Sequence, residues 1–211
     1  FGGLSFYQRK EIKDILGYLR LTINERDDEA FKRIINTPKR GIGKTTTDQI
    51  AELAVAQGVS MWAILTSGAY PAKGKLLAFL QLIKGFRQKA LEGNAYDVAI
   101  KVAQESGLYE ELRQDSTIEG ISRMENANAL LDGIKEFVEN DNADEATNDR
   151  SLAAYLANIA LLTDSDEKTD EEPNYISLMT THTAKGLEWK AVFVVGLEEN
   201  LFPSYMSMGS P

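Results

Sequence analysis

A chain of 211 residues with 43% apolar and 26% charged side chains is long and mixed enough to bury a core, which excludes a disordered polymer. It has no Cys and one His, His182, so disulfides, thiolate metal centres, a Cys nucleophile and two-His mechanisms are excluded. The net charge of −9 argues against a general nucleic-acid coat protein, and no run approaches the ~18 apolar residues of a membrane helix. No charged-then-apolar leader opens the chain. The start at Phe1-Gly2-Gly3 suggests a piece of something larger.

The charge is uneven. Residues 1–110 carry 16 basic and 12 acidic side chains, and residues 111–211 carry 7 and 20. Much of the acid lies in 139–149 and 164–172, which suits solvated loops. A polyanion would therefore approach the N-terminal half. The global charge does not exclude a local phosphate site, because charges beyond about 8 Å are largely screened at physiological salt.

Taken in chain order, most of the sequence predicts helix. Residues 6–23 carry a 3.6-residue apolar stripe through Ile12, Ile15, Leu16, Leu19 and Ile23. A short helix over 28–36 opens on acidic residues, where the helix dipole favours them, and Thr37-Pro38 ends it. A helix over 45–57 presents Ile50, Leu53 and Ala54 and stops at Gly58. Helical patterns follow over 61–65, 75–91, 95–106, 108–113 and 118–138, and Ser151 caps one over 151–162. Residues 164–173 form an acidic linker. Two short apolar runs, 175–179 and 191–195, then suit strands buried on both faces, as in a parallel sheet. The connection between them is short for a parallel crossover, so pattern alone favours a hairpin. The fold class expected is mainly α, with a small piece of an α/β sheet at the C-terminal end.

Four constellations bear on chemistry. Gly43-Lys44-Thr45 ends like an ATP phosphate loop, but Pro38 stands where that loop needs Gly, and a helix rather than a strand precedes it. A different mechanism fits Gly41-Ile42-Gly43-Lys44-Thr45. Paired glycines make a tight turn, and amides at the start of the 45–57 helix can face an anion with Lys39, Arg40, Lys44 and Thr45 around them. That arrangement resembles the hairpin of helix–hairpin–helix motifs, which grips phosphate without reading bases. The same residues also suit a plain Gly-rich helix–helix connector, and the local sequence does not choose. Phe6, Tyr7, Arg9 and Lys10 mix aromatics and cations that could meet a strand, although the first turns of a helix are the better account. Thr180–Trp189 follows a buried run, where open α/β sheets gather ligands; a polar surface loop is the simpler alternative. Glu198 and Glu199 lack any metal-ligand spacing, and no metal site is expected.

In order along the chain, "GGLSFYQRKEIKDILGYLRL", "IINTPKRGIGKTT" and "SLMTTHTAKGLEWKAVFVVGLEENLFPS" resemble segments of the UvrD/Rep/PcrA family of superfamily 1 DNA helicases. The resemblance covers essentially the whole chain, although 51–172 matches in length and helical character more than in residues. It implies that 1–14 and 174–211 are pieces of the second motor subdomain (2A). Residues 15–173 would be the helical accessory subdomain (2B), and the strands flanking motif V would be parallel. It implies that Gly41, Ile42, Gly43, Lys44 and Thr45 contact duplex DNA, that Thr181, His182 and Lys185 contact single-stranded DNA, and that Gly186 and Glu188 lie by the nucleotide. Trp189 stands where the family often has Phe.

The full protein would be a cytoplasmic, nucleoid-associated 3′-to-5′ DNA helicase using ATP and Mg²⁺. Its partners would be a duplex–single-strand junction, subdomains 1A, 1B and 2A, and repair or replication proteins, with no membrane. This stretch contains no phosphate loop, Asp-Glu box or arginine-bearing motif VI, so by itself it would bind no cofactor, supply no catalytic residue and not hydrolyse ATP. The alternative within the same family is a regulatory, protein-interaction module that restrains the motor and has little DNA affinity of its own.

Overall fold

The structure, a computed structural model, describes residues 3–139, 149–164, 179 and 191–195. The chain divides into two compact units, Phe1–Lys168 and Thr169–Pro211. In the first, the described residues form α1 (Gly3–Tyr7), α2 (Lys10–Ile23), α3 (Asp28–Ile34), α4 (Lys44–Gln57) and α5 (Met61–Ser67). They continue with α6 (Lys75–Glu92), α7 (Ala95–Glu105), α8 (Leu108–Gln114), α9 (Ile118–Glu139) and α10 (Leu152–Asp164). No single described helix is long and apolar enough to cross a membrane.

Helix α2 is the hub. Its stripe of Ile12, Ile15, Tyr18 and Leu19 is fully buried, as apolar residues spaced by three and four on one helical face require. It packs against α3, α6, α7, α9 and α10. Edge-to-face rings fasten the hub: Tyr18 meets Phe86 of α6 at 6.1 Å, and Phe31 of α3 meets Phe79 of α6 at 5.8 Å. Such pairs add about 0.5–1.5 kcal/mol beyond the area they bury. Helices α4 and α5 pack on each other, with axes 92° apart, and α5 also touches α3.

Local sequence sets the ends of these helices. The Asp27 carboxylate accepts from the Ala30 amide at the start of α3, and the Ser60 hydroxyl from the Ala63 amide at the start of α5. Asn94 and Asp97 form a reciprocal capping box on α7.

The α7–α8 corner turns at Gly107, with φ +85°, where an added Cβ would also lie 3.1 Å from Cγ of Pro38. Only Gly takes this backbone without cost. Gly107→Ala is expected to lower stability by about 1–2 kcal/mol in urea denaturation. An unchanged midpoint would show that the corner is not strained.

Two expectations differ from what is seen. The helix expected over 6–23 is broken at Gln8-Arg9, where Arg9 is extended (φ −64°, ψ 144°). No Gly or Pro signals the break. At the break the Arg9 guanidinium bonds the Asn126 side chain of α9, a contact remote in sequence.

The sheet piece is not seen among the described residues. Residues 191–195 form no regular element, and Val192, Phe193, Val194 and Val195 are exposed. A strand of this composition needs ladder partners and cover on both faces. Of the run 175–179, only Met179 is described.

Candidate nucleic-acid interface

The α3–α4 connection is the segment whose sequence suggested a phosphate contact. Its footing is polar and partly buried. The Asn36 side-chain oxygen Oδ1 accepts from the backbone amides of Arg40 (2.8 Å) and Ile42 (3.2 Å), which bends the chain back on itself. Ile42 is driven into the core at 5% exposure, while Gly41 and Gly43 on either side stay exposed. Gly41 takes φ +74°, a conformation that favours Gly.

Arg40 points inward. One guanidinium nitrogen donates to the carbonyls of Ile34, Thr37 and Pro38, at 3.2, 2.8 and 3.2 Å. The other donates to the Tyr18 hydroxyl and to the Ser106 carbonyl. The guanidinium also lies 5.6 Å from the Tyr18 ring centroid and 5.8 Å from that of Phe79. Tyr18 in turn donates to the Thr37 carbonyl at 2.5 Å. Burial, opposed by the nearby Arg40 guanidinium, pushes the Tyr18 phenol up to about 12, so it keeps the proton it donates throughout the neutral range. Arg40, expected to surround the anion, is instead the tie between the loop, α2 and the α7–α8 corner.

Above this footing the start of α4 is open. Gly43 is its N-cap, with φ −77° and ψ 164°, and no side chain caps the helix. The first backbone bond into the helix runs from Thr47 to the Gly43 carbonyl, so the amides of Lys44, Thr45 and Thr46 have no intrahelical acceptor. The first turn has no acidic residue, and Lys44 and Thr45 are exposed. A Cβ added to Gly43 would meet nothing within 4 Å. Orphan amides, the positive end of the helix dipole and open space together suit an anion. Because α3 rather than a strand leads into the loop, the arrangement is not that of an ATP phosphate loop.

Local sequence reasoning missed one neighbour. The Lys75 side chain, from the first residue of α6, lies across Gly41: a Cβ built there would stand 2.5 Å from Nζ and 3.6 Å from Cδ and Cε. No short-range signal joins residues this far apart in the chain.

The aromatic and basic cluster at the N-terminus is engaged within the chain. Arg9 lies 5.6 Å over the Phe6 ring and bonds Asn126, whose amide donates to Glu11 at 2.7 Å. Thr181, His182, Lys185, Gly186 and Glu188 lie outside the described residues, as do Glu198 and Glu199. Among the described residues no group of three His, Cys, Asp or Glu is placed to hold a metal ion.

The chain belongs to the UvrD-like helicase C-terminal domain family, whose model matches residues 1–210. It is 39% identical to DNA helicase II of Haemophilus influenzae over 217 residues, covering 100% of this chain and 29% of that protein. It is 36% identical to the ATP-dependent DNA helicase PcrA of Staphylococcus aureus over 214 residues, covering 99% of this chain and 28% of that protein. PcrA of Staphylococcus epidermidis is similar to the same degree. The chain thus spans less than a third of the length of these relatives.

Proposed function

We propose that this chain is the accessory portion of an ATP-dependent 3′-to-5′ DNA helicase, and that its α3–α4 loop holds the duplex backbone beside a single-strand junction. The observation that carries the reading is the uncapped, exposed first turn of α4, free of acid and next to an unobstructed Gly43. Gly41, Gly43, Lys44 and Thr45 supply backbone and side-chain contacts to phosphate, and Ile42 pins the turn. The contact is independent of base sequence, because amides and ammonium groups meet only the sugar–phosphate chain.

In this reading, residues 15–173 are the 2B subdomain, and 1–14 and 174–211 are pieces of 2A. The second of these brings a piece of parallel sheet and motif V. Thr181, His182 and Lys185 meet single-stranded DNA, and Gly186 and Glu188 lie at the nucleotide. The full helicase works in the cytoplasm at the nucleoid, uses ATP and Mg²⁺, and joins this portion to subdomains 1A, 1B and the rest of 2A and to repair or replication proteins. The 211-residue chain by itself does not hydrolyse ATP. Its relatives' printed names, DNA helicase II and ATP-dependent DNA helicase, support the class.

The test is a salt titration of the chain on a duplex–single-strand junction. Engagement of about two to four phosphates gives a log K against log salt slope of about −2 to −4. A flat response would overturn the duplex contact and leave the chain as a regulatory body that restrains the motor.

A further inference from the structure

The geometry points to Lys75, and not Arg40, as the cation that meets the DNA backbone beside Gly41. The inference rests on the duplex-contact reading above and names a contact residue that the loop's own sequence does not contain. Arg40 is adjacent to Gly41, but its guanidinium is spent on the oxygens of Ile34, Thr37, Pro38, Tyr18 and Ser106 and stacks against two rings. Both terminal nitrogens, whose fork is what grips a phosphate, are thus engaged by protein oxygens.

Lys75 has the opposite character. It is exposed, and no ion pair among the described residues involves it. A free lysine ordinarily extends into water. Here its ammonium lies over Gly41, which has no side chain to exclude it, 2.5 Å from where a Cβ would be. The base of the side chain is fixed, because Leu76 and Phe79 of the same helix are buried in the core.

The ammonium therefore stands on the loop's exposed surface, next to the glycine that leads into the uncapped turn of α4. A phosphate approaching Gly41 meets Lys75, while one approaching Gly43 meets the α4 amides and Lys44. The α6 start and the α3–α4 loop together thus make a two-point rail for one strand. Gly41 has a second duty besides its backbone angle, since any side chain there would displace the ammonium.

The experiment compares salt slopes on the same junction for the full 211-residue chain and four variants. Lys75→Ala is expected to flatten the slope by about 0.9, the loss of one phosphate contact, and Lys75→Gln to match it. Lys84→Ala removes an equal charge nine residues further along α6, on its opposite side, and is expected to leave the slope unchanged. Gly43→Glu tests the underlying reading. If Gly43→Glu abolishes binding while Lys75→Ala keeps the full slope, the Lys75 assignment is wrong and the loop contact stands. If Lys84→Ala flattens the slope as much as Lys75→Ala, the effect is general charge and the assignment falls. If neither Gly43→Glu nor Lys75→Ala changes binding, the duplex-contact reading itself fails, and the assignment with it.

Discussion

Gly43→Glu is expected to remove measurable junction binding while leaving the fold as stable as before. The two halves of this expectation have separate physical grounds. Gly43 has φ −77° and ψ 164°, an extended conformation open to any L residue, and a Cβ there meets nothing within 4 Å. No strain and no clash follow from a side chain. A carboxylate at the beginning of α4 is also favoured by the helix dipole, by about 0.3–1 kcal/mol. The same carboxylate can fold back on the Lys44–Thr46 amides and occupy them, and it repels an incoming phosphate. Fluorescence anisotropy on a labelled junction should then show at least a tenfold loss of affinity, which corresponds to about 1.4 kcal/mol. Urea denaturation should show a midpoint equal to or slightly above that of the unsubstituted chain. Retained affinity would mean that the α4 amides do not face DNA.

Arg40→Ala is expected to do the reverse, with its first effect on stability. The substitution strips donors from the carbonyls of Ile34, Pro38 and Ser106 and takes the Tyr18 hydroxyl's donor as well. Hydrogen bonds to a charged group contribute about 1.5–3 kcal/mol each, but these share one side chain and do not add. A loss of about 2–4 kcal/mol in urea denaturation is the expected total. Arg40→Lys should recover little, because one ammonium with three donors cannot span five oxygens set around a planar fork. Binding measured well below the denaturation midpoint should keep the salt slope of the unsubstituted chain. A slope flattened by a full contact, with stability unchanged, would return Arg40 to the DNA-facing side.

The helices were legible because their signals are local. The stripes of α2 and α6, the acidic start of α3 and the stop at Gly58 each lie within one or two turns of the feature they set, and the observed ends fall within a few residues of those expected. The break at Arg9 was not legible, since no Gly or Pro marks it and the partner that Arg9 meets there, Asn126, is on α9. The site divides in the same way. Paired glycines before Lys44 marked the turn, but nothing local told the inward arginine from an outward one. What turns Arg40 inward is Tyr18 and Ser106, remote in sequence on both sides. Lys75 was invisible for the same reason. The run at 191–195 was read as a strand from composition, but a strand also requires neighbours, which composition does not supply.

The inward Ile42 has a mechanical consequence for the turn it divides. With its side chain tacked into the core and its amide bonded to the Asn36 side chain, the middle of the turn is held from two directions without any ligand. Association then freezes few new torsions, so little of the electrostatic attraction is cancelled by ordering. A phosphate contact of the proposed kind would then form and let go without refolding the turn.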